Sequence, residues 1–327
     1  MSYEFEKKGI SYLTLTGEKN SLSHTSSLSY GHARIVCEKD LEKIVSLSIE
    51  KCGESMEKME FVYSRSEQVI SLFNELNISY EFRAFGIIPT TRQMGGYCIC
   101  RALQNKSRHI LTQTKFIDFC RDYSGFCSIV DSKGCLKSIQ SRFLVLATGG
   151  LGGTYPHTDN YRYCAYNIHA FVELHGGRIR DLDCLFEHPF GYRNGRRILI
   201  GNESKQGEFY DNSGNFVFDS RLRQLIKDND YHESFAEVLT SIKGATNKGA
   251  VYFYDGLRKL EIVPTVHYTA GGIVNSIDCS VVGIPGLFAI GECAADGNKN
   301  GGRLPGYAFT SAIVYGKYLA EFFSRVL

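Results

Sequence analysis

No run of the chain stays apolar for the ~18 residues that a membrane-crossing helix needs, so no transmembrane segment is expected. A secretory leader is not expected either, because Met1 to Lys8 is charged and lacks the apolar core of a signal peptide. The charge is close to balanced, at +2, which removes the electrostatic argument for a nucleic acid or a membrane surface as partner. Internal repeats and low-complexity segments are lacking. The eleven cysteines are scattered without a CxxC, the closest pair being Cys98 and Cys100. An odd number without framework spacing points to reduced thiols in a cytoplasmic protein, and away from disulfides, an iron–sulfur centre or another metal site. A GxGxxG turn, the usual pyrophosphate cradle of dinucleotide-binding folds, occurs nowhere in the sequence.

What is present suits a sizeable globular protein. At 327 residues, with 43% hydrophobic and 22% charged residues, the chain is long enough for a large core and about two domains. Its most informative stretch runs from Val263 to Gly316. Leu287 to Ile290 is a short apolar run bounded by turn residues, as a buried parallel strand is, and Gly291-Glu292 closes it with an acid. After Pro305 and Gly306, the positions Phe309, Ile313, Tyr315/Gly316, Leu319/Ala320 and Phe323 carry helical spacing. A strand, an acidic turn and a glycine-rich helix start can hold an anionic, polyhydroxylated cofactor, because free N–H groups and the dipole at a helix N-terminus attract negative charge.

Earlier segments read as follows. Gly9 to Thr16 alternates like a strand, Glu38 to Cys52 and Glu67 to Leu76 are amphipathic helices, and Gly95-Gly96 reads as a loop leading into a strand. His109 to Thr114, Phe116 to Arg121 and Phe126 to Val130 read as short strands, followed by the buried run Phe143 to Ala147 and then Thr148-Gly149-Gly150. Glycines ending a buried strand let backbone come close to a bound group.

Taken together, Pro264-Thr265-Val266-His267-Tyr268 with Gly271-Gly272, then Gly291-Glu292, then Gly302-Arg303-Leu304 resemble the closing signature of the succinate dehydrogenase/fumarate reductase flavoprotein family, to which L-aspartate oxidase belongs. Ala147-Thr148-Gly149-Gly150 is similar to a strand end common to many flavoproteins. The resemblance implies an α/β fold: a three-layer, Rossmann-like FAD-binding domain with a small inserted α+β capping domain. The expected layout is FAD-binding domain over 1–190, a shortened cap over 191–262, and the FAD-binding domain resumed over 263–327. In the family a first strand and a GxGxxG turn precede the point where this chain starts, so the domain is expected to be N-terminally truncated.

The same resemblance assigns roles. Ser23-His24-Thr25 is similar to the family's S-H-T segment, whose histidine bonds covalently to the flavin; the residues by themselves read as a Ser-rich surface loop with an exposed imidazole. Cofactor contacts implied are His24, Thr25, Ser26, Ser27, Gly31, Thr148, Gly149, Gly150, Asn167, Gly291, Glu292, Ala308 and Phe309. Asp181 to Pro189 aligns with the family's motif ending F-H-P, so His188, with His267 and Arg303, is expected to bind a substrate carboxylate. Carboxylates call for Arg or His donors, since charge-assisted hydrogen bonds fix the pose and polarise the acid. Each of these three also has a plain structural reading: His188 as a solitary structural His-Pro, His267 in a turn and Arg303 paired with an acid.

The implied reaction is FAD-dependent hydride transfer between a four-carbon dicarboxylate and flavin N5, with L-aspartate oxidation as the alternative suggested by Gly195 to Ile200. The implied partner is the dicarboxylate, with an electron-transfer subunit left open. A reading of another class is a degenerate, non-catalytic relative without FAD. It draws on the missing GxGxxG, on Tyr166-Asn167-Ile168 where the family has G-D-G, and on the absent A-P-R-D tetrapeptide that carries the proton donor. Arg223 is the nearest substitute, and a solvated arginine on a helix is its plainer reading.

Overall fold

Two apolar tripeptides far apart in sequence, Leu144–Leu146 and Leu287–Ala289, pair as parallel strands with Leu144 opposite Leu287 and Leu146 opposite Ala289. Leu287–Ala289 is buried throughout, with Leu287 and Ala289 fully inaccessible, while of the first tripeptide Leu146 is buried, which explains the apolar character read from the sequence. The computed structural model describes residues 1–52, 55–83, 85–91, 94–161, 168–195, 197–199, 203–228, 234–295 and 303–327, with backbone alone at 51 and 52.

The described chain divides into two units. The first comprises Met1–Leu151, Tyr163–Cys184 and Ala270–Leu327. Besides the parallel pair above, it holds a second parallel pair, Thr14–Leu15 with Ile110–Leu111. It also holds a three-stranded antiparallel meander of Thr114–Asp122, Gly125–Ser132 and Cys135–Ser141. A small antiparallel sheet places Gly86–Pro89 between Ala33–Arg34 and Tyr80–Arg83. The C-terminal helix Tyr307–Val326 buries Ile313, Val314, Leu319, Ala320 and Phe323, as its spacing predicts. The helix Ser2–Lys8 packs on it through Phe5, whose ring lies 5.8 Å from that of Phe323.

The second unit comprises Gly152–Arg162 and Leu185–Thr269, and the cap expected over 191–262 lies within it. Its four-stranded antiparallel sheet runs in the order Leu185–Tyr192, Lys259–Thr269, Val251–Tyr254, Glu208–Asp211. The helices Ser220–Asp228 and Phe235–Thr246 supply Leu222, Ile226, Val238 and Ile242 to a core shared with Phe190, Phe209 and Phe253. Phe190 is fully buried, with its ring stacked 4.5 Å from Phe209. Burial on that scale contributes roughly 1.5–3 kcal/mol for each such side chain.

Two local readings change, and one helix was not read. Gly95–Asn105 is a helix, where a loop and strand were expected. The glycines that suggested a loop are small for packing: a Cβ on Gly96 would stand 2.0 Å from the Ser26 carbonyl oxygen, and one on Gly95 2.1 Å from that of Tyr30. The strand expected over Gly9 to Thr16 is reduced to Thr14–Leu15, because pairing with Ile110–Leu111 is all that sustains it. The helix Met56–Tyr63, capped at Ser55 by a bond from the Lys58 N–H, follows Leu41–Cys52 without a sequence signal strong enough to separate it. The helix Gln68–Glu75 and the strand Leu287–Ala289 fall where expected.

Candidate functional site

Within the first unit, the two parallel strands end at the same edge, and each turns on a glycine in the left-handed region: Gly149 at φ 77° and Gly291 at φ 70°. Among the described residues a Cβ at either position would meet no atom within 4 Å, so each glycine faces open space at the carboxyl ends of the strands. Ligands of open α/β folds bind at that edge. The two turns are tied together beneath this opening. Ile290 N–H donates to the Leu146 carbonyl at 2.9 Å, and the buried Cys293 thiol donates to the same oxygen at 3.3 Å. Burial pushes the Cys293 thiol up to about 11, so it is an inert donor at neutral pH. His169 donates to the Cys293 carbonyl at 3.2 Å, and burial lowers its pKa and keeps the ring neutral.

The turn Gly291–Cys293 contacts the helix Tyr307–Val326. That helix starts after Gly306, itself left-handed at φ 84°, with Ala308 exposed in its first turn. Its start is fixed by the short strand Ala33–Arg34. The Arg34 N–H donates to the Gly306 carbonyl at 3.2 Å, the Arg34 Nε–H to the Pro305 carbonyl at 2.9 Å, and the Thr310 hydroxyl to the Arg34 carbonyl at 2.8 Å. Gly306 has to be glycine here, since a Cβ would lie 2.6 Å from the Arg34 nitrogen.

Just upstream of that strand, His24 to Gly31 includes the helical turn Thr25–Leu28. It is held against Gly95–Asn105 by the Gly96 N–H, which donates to the Ser29 carbonyl at 3.0 Å. His24 is half-buried, its Nε2 lies 3.3 Å from the Ser27 hydroxyl, and burial lowers its pKa, keeping the imidazole neutral. Of the sequence-derived cofactor contacts, Gly291–Glu292 packs on the helix that carries Ala308–Phe309, Thr148 to Gly150 follows the strand paired with Leu287–Ala289, and the His24 to Gly31 segment packs on a different helix, Gly95–Asn105. Asn167 lies outside the described residues. Arg303 is half-buried immediately before the helix.

The second unit carries the histidines. His188 and Thr265 are partners in the antiparallel pairing of Leu185–Tyr192 with Lys259–Thr269, which brings His188 beside His267, ring centroids 6.3 Å apart. Gly191 permits this pairing, because a Cβ there would lie 1.6 Å from the Thr265 hydroxyl oxygen. His188 is buried, at 7% exposure, while the His267 side chain is 40% exposed. The His267 Nδ1–H donates to the Asp159 carboxylate at 2.6 Å. The Asn160 amide donates to the His267 carbonyl at 2.7 Å, and the Val266 N–H donates to the His157 carbonyl at 2.9 Å. Phe186 completes the cluster, its ring stacked between Phe235 at 5.1 Å and Tyr268 at 4.9 Å.

Sequence reasoning missed Asp159, Asn160 and Phe235 as neighbours of the histidines, since no local pattern joins residues 157–160 or 235 to 265–268. Arg223 lies on the helix Ser220–Asp228 with its side chain 28% exposed, and it is paired. Its guanidinium forks onto Glu208 at 2.9 and 3.0 Å and lies 3.6 Å from the Phe216 ring centre.

An FAD implied by the resemblance is tested by the steric observation at the strand ends. Open left-handed glycines, an adjoining acidic turn and the start of a 20-residue helix fit the flavin end of such a group.

Comparison with known proteins points the same way. Residues 217–308 match the family described as FAD binding domain. The chain is 26% identical to an L-aspartate oxidase of Pyrococcus horikoshii over 96% of this chain and 73% of that one. It is 27% identical to an L-aspartate oxidase of Bacillus subtilis over 58% of this chain and 40% of that one. Against the fumarate reductase flavoprotein subunit of Escherichia coli the identity is 25%, over 58% and 38%. The chain therefore spans less than half the length of two of these three relatives. Among solved structures, Mycobacterium smegmatis Sdh1 in complex with UQ1 superposes with a TM-score of 0.81 at 17% identity, covering 100% of this chain and 67% of that one. Escherichia coli quinol fumarate reductase FrdA gives 0.76 at 17%, covering 99% and 67%. In sequence the chain resembles the succinate dehydrogenase/fumarate reductase flavoproteins and the L-aspartate oxidases, and it has their α/β fold. Among the described residues no helix is long and apolar enough to cross a membrane.

Proposed function

We propose that the chain is an FAD-dependent oxidoreductase acting on a four-carbon dicarboxylate, as the fumarate reductase and L-aspartate oxidase names of its relatives suggest. The observation that carries this reading is the pair of open left-handed turns at Gly149 and Gly291, set at the carboxyl edge of two parallel strands. When bound, FAD supplies the two-electron chemistry, a hydride exchanged at N5 with a dicarboxylate carbon.

The residues that would hold it are Thr148 to Gly150, Gly291-Glu292, the His24 to Gly31 segment and the first turn of Tyr307–Val326. Glu292 accepts hydrogen bonds from a hydroxyl, and the helix start favours negative charge on a reduced ring. A neutral His24 has the lone pair that a covalent bond to the cofactor requires, which burial preserves.

His188 and His267 are the substrate donors of the second unit, and Arg303, in the first, is a further candidate donor for a carboxylate. Asp159 holds the His267 Nδ1–H, which fixes both the tautomer and the plane of the ring. His188 is buried beside the Phe235 ring, 5.8 Å away, and charge-assisted hydrogen bonds strengthen where water is thin. L-aspartate is the alternative substrate within the same chemistry.

The test is a visible spectrum of the purified chain before and after acid precipitation. Yellow colour released into the supernatant means a non-covalent flavin; colour retained in the pellet and lost in His24→Ala means a covalent one. Turnover assays with succinate, fumarate and L-aspartate then separate the substrates. A chain that stays colourless when incubated with FAD would sink the proposal. It would favour the second reading, a non-catalytic relative, which is supported by the engagement of Arg223 with Glu208 and by Asn167 standing where the family has an aspartate.

A further inference from the structure

We propose that Cys120 and Cys127 form a reversible cross-strand disulfide, a redox modification site on the hairpin of Thr114–Asp122 and Gly125–Ser132. The two residues are direct partners in the antiparallel register, so their side chains leave the sheet on the same face. Both are free thiols, Cys120 exposed and Cys127 half-buried, and the Cys120 Sγ lies 3.8 Å from the Cys127 carbonyl oxygen.

Opposed residues in antiparallel strands have Cα atoms about 4.5 Å or about 5.5 Å apart, according to whether the pair is hydrogen-bonded. Disulfides are accommodated at Cα separations between about 4.4 and 6.8 Å, so opposed residues stand within their Cα range, and closing the bond draws the two Cβ atoms together to about 3.5–4.5 Å. The other exposed thiols differ. Cys135 faces Ser132 across its turn, and Cys37 precedes the short helical turn Glu38–Asp40. Either can be capped by a small thiol, but among the described residues neither has a cysteine opposite it in a strand.

The oxidant is a low-molecular-weight disulfide such as oxidised glutathione. One cysteine thiolate attacks a glutathione sulfur, forming a mixed disulfide and releasing one glutathione thiolate. The second cysteine, as its thiolate, attacks the protein-side sulfur of the mixed disulfide, forming the Cys120–Cys127 bond and releasing the second glutathione. Two protein thiols are oxidised, one glutathione disulfide is reduced to two thiols, and the two protons lost from the cysteines are taken up by the released thiolates. The site uses no residue assigned to the flavin or substrate.

The experiment treats the reduced full-length chain with excess oxidised glutathione across a pH series, quenches free thiols by alkylation, and maps peptides by mass spectrometry. The expected product is a bridged Cys120–Cys127 peptide lighter by two hydrogens than the dithiol, and reversed by dithiothreitol. Its rate of formation should climb with pH to above the ordinary thiol range, because desolvation and then the neighbouring Cys127 sulfur hold the Cys120 thiol up. Cys120→Ser and Cys127→Ser should each abolish the bridge and leave a single glutathione adduct on the remaining partner. The proposal is overturned if the wild-type chain accumulates separate adducts at Cys120 and Cys127. It is equally overturned if both stay unmodified while Cys37 and Cys135 react.

Discussion

The carboxylate of Asp159 lies 2.6 Å from His267 Nδ1, although 108 residues separate the two in sequence. Asp159 is held in turn because its own N–H donates to the Val266 carbonyl at 3.4 Å and the neighbouring Thr158 hydroxyl donates to that same oxygen at 2.9 Å. An imidazole fixed at one nitrogen presents the other in a single direction. If His267 binds a substrate carboxylate, Asp159→Asn should lower kcat/KM for the dicarboxylate by about 10- to 100-fold, the range for loss of an orienting partner. Flavin content and melting temperature should stay near those of the parent. Equal kcat/KM in the two proteins would remove Asp159 from the site.

Gly149→Ala and Gly291→Ala test the cofactor opening. Neither Cβ meets a neighbouring atom, so the folded-state cost is the left-handed backbone alone, about 1–2 kcal/mol. Each variant should fold with a modest drop in melting temperature and yet carry less flavin per chain than the parent. The ratio of flavin absorbance to protein absorbance measures this, with circular dichroism as the control for folding.

Gly96→Ala makes the opposite kind of change. Its Cβ would stand 2.0 Å from the Ser26 carbonyl and 2.4 Å from the Ser29 hydroxyl, and backbone has to give way. Overpacking of this sort costs typically 1–3 kcal/mol. The segment that yields is the one bearing His24, so limited proteolysis should cut between about residues 21 and 31 in the variant and spare the parent.

Acid should weaken the second unit through Glu208. The hydrogen bond from Arg223, and after it the bond from Lys227, lowers the Glu208 pKa from its ordinary 4.5. A depressed carboxylate contributes stability that is fully present above 4.5 and is lost as the pH falls through the lowered value. In urea unfolding followed through that window, Glu208→Gln should flatten the dependence and be less stable than the parent at neutral pH. Parallel curves for the two proteins would assign the acid sensitivity elsewhere.

Whatever depends on neighbours in sequence was legible. Thr148-Gly149-Gly150 and Gly291-Glu292 follow short apolar runs directly, so strand, turn and opening could be read in place. The helix Tyr307–Val326 announced itself by spacing, and the resemblance to flavoproteins rests on the same stretch and holds for fold. Asp159 was opaque because its partner comes from a strand that the sequence does not align with it. Gly95-Gly96 misled for a related reason: glycine marks a turn by local rule, but here it answers the approach of Ser26 and Ser29 against a helix. Arg223 reads as an exposed cation on Ser220–Asp228 until the strand Glu208–Asp211 is seen to supply its acid.

The parallel register of Leu144 with Leu287 also sets an order of events during synthesis. Until the ribosome has released the segment past Ala289, the strand ending at Leu146 has no partner of its own, and its apolar edge waits through the making of the whole second unit. Long-range parallel pairing is slow and exposed to aggregation. A chain stalled or cut before Leu287 should therefore emerge as an insoluble product even where its helices and the meander have already formed.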